Sequence, residues 1–119
     1  GVISLATAEA FVLGEKLGVE RKIIYDVMSA SSGNSWILNN VCPLPGGVPG
    51  SGRDSDFKPG FAADLMLKDL RLSQSAAQLA NSATPIGSAA TVAFQQHVNN
   101  GHGALDTASI CKLIDPDIQ

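Results

Sequence analysis

Apolar residues recur along most of the chain with the 3.6-residue period of α-helices. Capping and turn residues punctuate the pattern and predict five helices, over residues 2–18, 21–30, 61–81, 84–98 and 106–114. Residues 36–40 are expected to add one or two turns, capped by Asn34 or Ser35. Thr84 is expected to cap the helix that Pro85 opens, and Asp106 is expected to cap the final helix. No segment alternates apolar and polar residues convincingly with a period of two, so the sequence predicts an all-α helical bundle.

The first predicted helix is apolar around almost its whole circumference. Only Glu9, Glu15 and Lys16 interrupt it, which is typical of a central helix buried by neighbours on several sides. Gly18 is expected to end it. The second helix has four residues on its predicted inner face: Ile23, Ile24, Val27 and Met28.

Residues 41–60 contain four prolines and five glycines, which forbid a long helix or a central strand. A loop of this length is usually functional or mobile, and a linker between two domains is the alternative. Asp54 and Asp56 have a spacing that could suit a metal ion. Because no third ligand accompanies them, a solvated loop is the preferred interpretation and no metal site is predicted.

The predicted helix over residues 61–81 has one exception to its two-faced pattern. Its apolar arc holds these residues: Leu65, Met66, Leu70, Leu72, Ala76, Ala77, Leu79 and Ala80. Asp69 projects inside that arc, and Lys68 lies on its edge. Either Asp69 organises the core through backbone amides or a buried cation, or this part of the helix faces a cleft. In the second case Asp69 would hold a neighbouring group while Lys68 reaches an anionic or polar ligand.

Composition and charge exclude several classes of protein. The hydrophobic fraction is 45%, the charged fraction is 16% and the net charge is −3, so neither a disordered chain nor a nucleic-acid-binding protein is expected. No apolar run reaches membrane-spanning length. Cys42 and Cys111 match no metal spacing and favour a reducing compartment, in which they serve as small buried hydrophobes. We therefore expect a soluble, intracellular protein.

The remaining candidates for chemistry have ordinary explanations. His97 lies on the inner face of its helix and is expected to be a core residue with its hydrogen bonds satisfied. His102 lies in a glycine turn and is expected to be exposed. Ser31, Ser32 and Ser35 have no base nearby, so a nucleophilic serine is not predicted.

A longer motif resembles one that is typical of a known family. Phe61-Ala-Ala-Asp-Leu-Met-Leu-Lys-Asp-Leu-Arg-Leu-Ser resembles the cofactor-contacting motif of the β-hydroxyacid dehydrogenases. Residues 7–18 resemble the family's central helix, and the Ser31–Trp36 segment, the Pro-Gly loop and Pro85-Ile-Gly-Ser follow in the family's order. The loop and the Trp36 segment are most similar to the 3-hydroxyisobutyrate dehydrogenases. The implied fold is similar to the C-terminal domain of 6-phosphogluconate dehydrogenase.

The resemblance implies a chemistry and a set of site residues. The intact enzyme would join an N-terminal Rossmann domain to this helical domain. It would transfer a hydride between NAD, or NADP, and 3-hydroxyisobutyrate or a similar short 3-hydroxy acid, in valine degradation. Lys68, Asp69 and Phe61 would be the cofactor-binding residues: Lys68 near the nicotinamide, Asp69 supporting it and Phe61 walling the cleft. Trp36 would lie near the substrate.

Other positions depart from the family pattern. Arg71 replaces a glycine that is common after Lys-Asp-Leu, and Gln74 does not restore the acidic residue often seen nearby. Both lie on the predicted solvent arc, where little functional effect is expected. The family's catalytic lysine would lie upstream of Gly1, and Lys16 does not replace it. We therefore predict no catalytic residue in this chain, and no activity from it alone, because the Rossmann domain would be missing.

The implied assembly is a homodimer or homotetramer, with this half supplying dimer contacts. The resemblance also implies a cytoplasmic location, or the mitochondrial matrix in a eukaryote. A different class stays open, namely a non-catalytic helical interaction module that reuses the same fold. The two classes differ in what would precede Gly1: a Rossmann domain or something unrelated.

Overall fold

The computed structural model describes residues 1–41 and 56–118. Within these ranges the helices are α1 (Val2–Lys16), α2 (Arg21–Ser29), α3 (Trp36–Val41), α4 (Ala63–Leu79), α5 (Pro85–His97) and α6 (Cys111–Ile114). A π-helical turn, Val98–His102, continues α5, and a 3₁₀ turn, Thr107–Ile110, leads into α6. The same ranges contain no strand, only an isolated bridge between Ala62 and Asp106. The predicted all-α architecture is confirmed.

Helix α1 is the organising element of the bundle, because it packs against α2, α3, α5, α6 and the 3₁₀ turn. It buries Phe11 and Val12 on the side that faces these neighbours. Its other side stays open, with Ile3, Leu13 and Leu17 exposed to 51%, 62% and 73%. The prediction that α1 is buried nearly all round is therefore wrong for this chain, whose other helices cover only one side of it.

Helix α2 shows the same one-sided burial. Ile24 is buried and Met28 partly so, but Ile23 and Val27 point to solvent. Two of the four predicted inner residues are thus misplaced. Nine residues make a little more than two turns, and only one narrow side of such a helix meets α1 and α3.

The core is built from large side chains of four elements. The fully enclosed ones are Phe11 of α1, Leu38 of α3, Phe94 of α5 and Ile110 of the 3₁₀ turn. Cys111 is also fully buried, as predicted. Because elements distant in sequence meet at these residues, the core fixes the positions of α1, α3, α5 and the 3₁₀ turn relative to one another.

The helix ends follow local chemistry with one exception. Gly18 has a φ of +84°, the left-handed conformation expected after a helix. Ser35 caps α3 by accepting a hydrogen bond from the Leu38 amide at 3.0 Å, and Pro85 opens α5. Thr84 does not cap α5 with its side chain. Its hydroxyl instead donates to Gln74 Oε1 at 3.1 Å.

Helix α4 turns a different side inward from the one its apolar arc predicts. Ala63, Leu67 and Leu70 are buried, whereas Leu65, Leu72 and Leu79 are 45%, 62% and 91% exposed. At roughly 100° per residue, the buried side is rotated by about 100° from the predicted centre. The exposed stripe, here named the outer face of α4, consists of Leu65, Lys68, Asp69, Leu72, Ala76 and Leu79.

Most of the predicted loop over residues 41–60, including Cys42 and Asp54, lies outside the described residues. Asp56 is described and exposed. None of the helices in the described ranges combines the length and apolar character needed to cross a membrane.

Candidate functional site

Two of the predicted site residues share one groove. Trp36, at the start of α3, and Phe61, just before α4, both line a cavity of about 670 Å³. The other lining residues are Ile37, Asn40, Val41, Lys58, Gly60, Met66, Asp106 and Thr107. Trp36 is 70% exposed and Phe61 39% exposed, so both rings present aromatic surface to a ligand. We name this cavity the aromatic groove.

Trp36 is held at the groove by the anchoring of α3. Two residues along, Leu38 is completely buried in the core. The phenol of Tyr25 donates to Asn39 Oδ1 at 3.2 Å and ties the outer side of α3 to α2. With α3 fixed by both contacts, Trp36 stays at its exposed first turn, where it faces the groove.

Phe61 is held by a buried carboxylate from a distant segment. Asp106 is only 4% exposed, and its Oδ2 accepts hydrogen bonds from the amides of Gly60 at 2.9 Å and Phe61 at 3.2 Å. Its Oδ1 accepts from the Ala108 amide at 2.9 Å, the cap that the sequence predicts. The Thr107 amide donates to the Phe61 carbonyl at 2.9 Å. We name residues 103–110 the Asp106 turn.

The Asp106 turn is also joined to the first turn of α4. The amide of Ala63 donates to the Leu105 carbonyl at 2.8 Å, and the amide of Asp64 to the Gly103 carbonyl at 2.9 Å. A side chain at Gly103 would collide with the carboxylate of Asp64, so a larger residue there would displace that exposed side chain. These bonds satisfy early amides of α4 that have no partner within the helix.

Lys68 and Asp69 lie outside the aromatic groove, on the outer face of α4. Lys68 Nζ is 3.4 Å from Asp69 Oδ1, and their side chains are 61% and 52% exposed. The interpretation that Asp69 organises the core is therefore wrong. The apolar arc in which it lies is largely exposed in this chain, and a cleft-facing role for both residues stays a prediction.

The two positions that depart from the family pattern differ from each other. Arg71 is exposed, as predicted, and donates to Gln95 of α5. It lines a shallow depression of about 290 Å³ together with Lys68. Gln74 is half-buried and accepts a hydrogen bond from the Thr84 hydroxyl, so the prediction that it points to solvent is wrong.

A buried histidine fastens the Asp106 turn to α5. His97 is fully buried, as predicted, and its Nε2 lies 2.7 Å from Ser109 Oγ. Its Nδ1 has no hydrogen-bond partner among the described residues, so the prediction that both ring nitrogens are satisfied is wrong. Burial lowers the pKa of His97 to about 4, with smaller contributions from the charges of His102 and Lys112. His102 is half-buried rather than exposed as predicted, because its ring lies 4.8 Å from that of His97.

Lys16 is engaged away from the groove. Its Nζ lies 2.9 Å from Asp115 Oδ2, and this hydrogen bond raises the pKa of Lys16 and lowers the pKa of Asp115. Lys16 is not among the residues that line the aromatic groove. That Lys16 does not replace the family's catalytic lysine stays a prediction.

The sequence interpretation missed Asp106 as a site residue. It identified the carboxylate only as a cap, since the spacing to Ala108 is local and readable. The two other amides that donate hydrogen bonds to Asp106 lie 46 and 45 residues away in sequence. No local sequence pattern predicts a contact over that distance. Lys58 was also missed, although it is the cation among the groove residues.

The groove suits a planar or apolar group with an anionic neighbour. Aromatic walls can stack on a planar ring, and the ammonium group of Lys58 can pair with a carboxylate or phosphate. The residues present therefore fit NAD and a small acid. Among the described residues, no three His, Cys, Asp or Glu side chains come together as a group that could hold a metal ion.

The fold and the aromatic groove describe a helical domain with a ligand-sized cavity in its surface, and comparisons with known proteins assign this domain to a family. Residues 1–114 match the family model described as "NAD-binding of NADP-dependent 3-hydroxyisobutyrate dehydrogenase". The chain therefore belongs to this NAD-binding family of 3-hydroxyisobutyrate dehydrogenases. The predicted resemblance is confirmed, and the predicted cofactor class agrees with the family description.

Individual relatives support the same family. A probable 3-hydroxyisobutyrate dehydrogenase of Mycobacterium tuberculosis is 40% identical over 92% of this chain and 37% of its own length. An NAD-dependent L-serine dehydrogenase of Pseudomonas aeruginosa is 39% identical over 97% of this chain and 39% of its own length. The chain thus spans less than two fifths of the length of either relative.

A solved structure shows the same fold. The Mycobacterium tuberculosis 3-hydroxyisobutyrate dehydrogenase, described with L-serine, superposes with a TM-score of 0.92 at 38% identity. The superposition covers 96% of this chain and 39% of that structure. The helical fold described above is therefore the fold of one part of a larger dehydrogenase.

Proposed function

We propose that this chain is the C-terminal helical half of an NAD-dependent dehydrogenase that oxidises 3-hydroxyisobutyrate or a similar short 3-hydroxy acid in valine degradation. A Rossmann domain and the catalytic lysine would be supplied by sequence upstream of Gly1. This half closes the cofactor and substrate cleft and supports a homodimer or homotetramer. The enzyme would act in the cytoplasm, or in the mitochondrial matrix of a eukaryote.

One observation carries the proposal. Trp36, expected to contact the substrate, and Phe61, expected to contact the cofactor, line the same groove although 25 positions separate them in sequence. A hydride passes directly between substrate and cofactor, so the two ligands must meet in one place. A groove with both aromatic residues in its wall provides such a place.

The chain's own residues would bind, orient and exclude water. When bound, NAD supplies the hydride-accepting ring. Phe61 and Trp36 would cover the reacting groups with apolar surface, which removes water and strengthens the electrostatic interactions inside the cleft. Lys58, exposed at the groove, would attract the carboxylate of the substrate. Lys68, one to two turns into α4, would hold a polar group of the cofactor.

The groove also suggests how related substrates are distinguished. L-serine and 3-hydroxyisobutyrate are both 3-hydroxy carboxylates, and they differ at C2 by an ammonium group in place of a methyl group. The apolar and aromatic side chains of Trp36, Phe61 and Met66 favour the methyl group. We therefore expect the intact enzyme to have a higher kcat/KM for 3-hydroxyisobutyrate than for L-serine.

The role of Lys68 is tested by substitution in the intact polypeptide. We expect Lys68→Ala to raise the KM for NAD about tenfold, which corresponds to about 1.4 kcal/mol of lost binding. The matched control is Lys22→Ala on α2, another exposed lysine paired with a neighbouring carboxylate, that of Asp26. An unchanged KM in Lys68→Ala, or an equal rise in both variants, would show that Lys68 does not contact the cofactor.

The role of Trp36 has an optical test, because it is the only tryptophan of the sequence. Ligand binding in the aromatic groove should change the fluorescence that arises from Trp36. We expect Trp36→Phe in the intact polypeptide to raise the KM for 3-hydroxyisobutyrate several-fold. A KM equal to that of the wild type would remove Trp36 from the substrate site.

A second candidate function is a non-catalytic interaction module with the same fold. The open apolar sides of α1 and α4, with Leu13, Leu17, Leu72 and Leu79 exposed, favour it because such surface usually meets a partner. This candidate predicts no NAD-dependent turnover from the intact polypeptide and an unrelated sequence before Gly1. The dehydrogenase proposal predicts the opposite in both respects.

A further inference from the structure

We propose that Asp106 is a positioning residue of the aromatic groove. Its buried carboxylate holds the Gly60 and Phe61 backbone so that the Phe61 ring forms the groove wall. This inference rests on the proposed function and deepens it, since it assigns to the same site a residue from a segment 45 positions away.

The donor and acceptor pattern around Asp106 is specific to an ionised carboxylate. Three amides, those of Gly60, Phe61 and Ala108, point at its two oxygens within 3.2 Å. A carboxylate only accepts hydrogen bonds, so every contact is complementary. An asparagine there has one acceptor oxygen for the three amides, so in either orientation its NH₂ group faces at least one N–H donor. The substitution therefore disturbs the contacts at nearly constant volume.

The segment that Asp106 holds needs an external support. Asp56 and Phe57 both have a φ of 56°, a left-handed conformation that residues other than glycine avoid. The amide of Asp106 donates to the Phe57 carbonyl at 2.9 Å, beside the two bonds from its carboxylate. The backbone and side chain of Asp106 thus hold the segment that leads to Phe61 through three hydrogen bonds, at the Phe57 carbonyl and at the Gly60 and Phe61 amides.

The support is itself rigid. The bond between His97 and Ser109 ties the Asp106 turn to α5 inside the core, and Ile110 is fully buried next to it. Asp106 therefore connects a fixed core to the groove wall. Burial of the Phe61 side chain supplies little anchoring, because Phe61 is 39% exposed, and its carbonyl is held by the Thr107 amide of the same turn.

The first readout needs no enzyme activity. In the 119-residue chain, Asp106→Asn should lower the hydrogen-exchange protection of the Gly60 and Phe61 amides at least tenfold and shift the Trp36 fluorescence. Protection within α1 and α5 should stay unchanged. The control is Asp117→Asn, an exposed carboxylate near the C-terminus, which should alter neither signal. Unchanged protection at both amides in Asp106→Asn would overturn the inference.

The second readout is kinetic and uses the intact polypeptide. Asp106→Asn should raise the KM for 3-hydroxyisobutyrate or NAD about tenfold, with a much smaller change in kcat, because a displaced wall weakens binding. In a Phe61→Ala background the same substitution should have almost no further effect, since the group it positions is gone. An equal rise in both backgrounds would mean that Asp106 acts on folding alone, and would contradict the inference.

Two substitutions of Gly60 test the positioning role of Asp106 if Asp106→Asn fails to fold. Gly60→Pro removes the amide that donates to Asp106, whereas Gly60→Ala keeps it and places its Cβ 3.6 Å from Asp106 Oδ2, an ordinary contact. Only Gly60→Pro should raise the KM, and equal effects would contradict the inference. Absence of turnover in the wild-type intact polypeptide would instead refute the proposed function, and the exchange measurement alone would then decide the role of Asp106.

Discussion

Two carboxylates of this chain, Asp69 and Asp106, invert the expectation drawn from their sequence context. Asp69 lies within an apolar arc and was expected to face a core or a cleft. Its side chain is 52% exposed, so it does not face the core, and the cleft-facing role stays a prediction. Asp106 was expected only to cap a helix, yet it is 4% exposed and accepts hydrogen bonds from three backbone amides. Periodicity reports which side chains share a face of a helix. It does not report which face the rest of the chain covers.

The largest expected effect separates the two sides of α4. Leu67→Ala should lower the free energy of unfolding by about 3 to 4 kcal/mol, because a side chain that is 3% exposed leaves a cavity. Leu72→Ala on the outer face should change it by less than about 0.5 kcal/mol. Urea unfolding of both variants measures the difference. Similar losses in the two variants would show that the outer face is buried in solution.

The next effect concerns pH and the anchor of the Asp106 turn. The pKa of His97 is lowered from 6.5 to about 4 in the folded state, so the neutral form stabilises the fold. That contribution is complete above pH 6.5 and is lost as the pH falls toward 4, in total about 3 kcal/mol. Unfolding measured at several pH values should show this slope in the wild type and a weaker one in His97→Gln. Equal slopes in the wild type and in His97→Gln would show that His97 does not cause this pH dependence.

The two carboxylates themselves give a smaller difference in stability. Asp106→Ala should cost about 2 kcal/mol, because three amides lose their acceptor. Asp69→Ala should change the free energy of unfolding by less than about 0.5 kcal/mol, since an exposed ion pair contributes little. Thermal and urea unfolding of the two variants provide the measurement. A larger loss in Asp69→Ala would reverse the comparison.

The smallest effect is expected at Arg71, where the family pattern has glycine. Arg71→Gly should lower the free energy of unfolding by about 1 kcal/mol, because glycine disfavours the middle of a helix. The bond to Gln95 of α5 is exposed and adds little. KM and kcat of the intact polypeptide should stay at the wild-type values. A tenfold change in either constant would place Arg71 in the functional site.

The sequence was a good guide where the signal is local. Periodicity located the helices, and Gly18, Ser35 and Pro85 mark ends that the structure confirms. It was a poor guide where the outcome depends on contacts between distant segments. The inward side of α4 and the exposure of α1 depend on which neighbours cover them, and a single helix does not contain that information.

The residues of the candidate site also fall into two groups, those that the sequence could predict and those that it could not. The family resemblance pointed to Trp36 and Phe61, and the fold brings both into one groove. The support of that groove by Asp106 had no local signal, because Gly60 and Phe61 precede the Asp106 turn by more than 40 residues. Residues that touch a ligand can therefore be found by motif, while the residues that hold them require the fold.

The most direct test of the account is turnover by the intact polypeptide and by residues 1–119 alone, measured as NADH formed from NAD and 3-hydroxyisobutyrate. We expect clear activity from the intact polypeptide, with a higher kcat/KM for 3-hydroxyisobutyrate than for L-serine, and none from residues 1–119. An intact polypeptide without NAD-dependent activity, or turnover by the helical half alone, would contradict it.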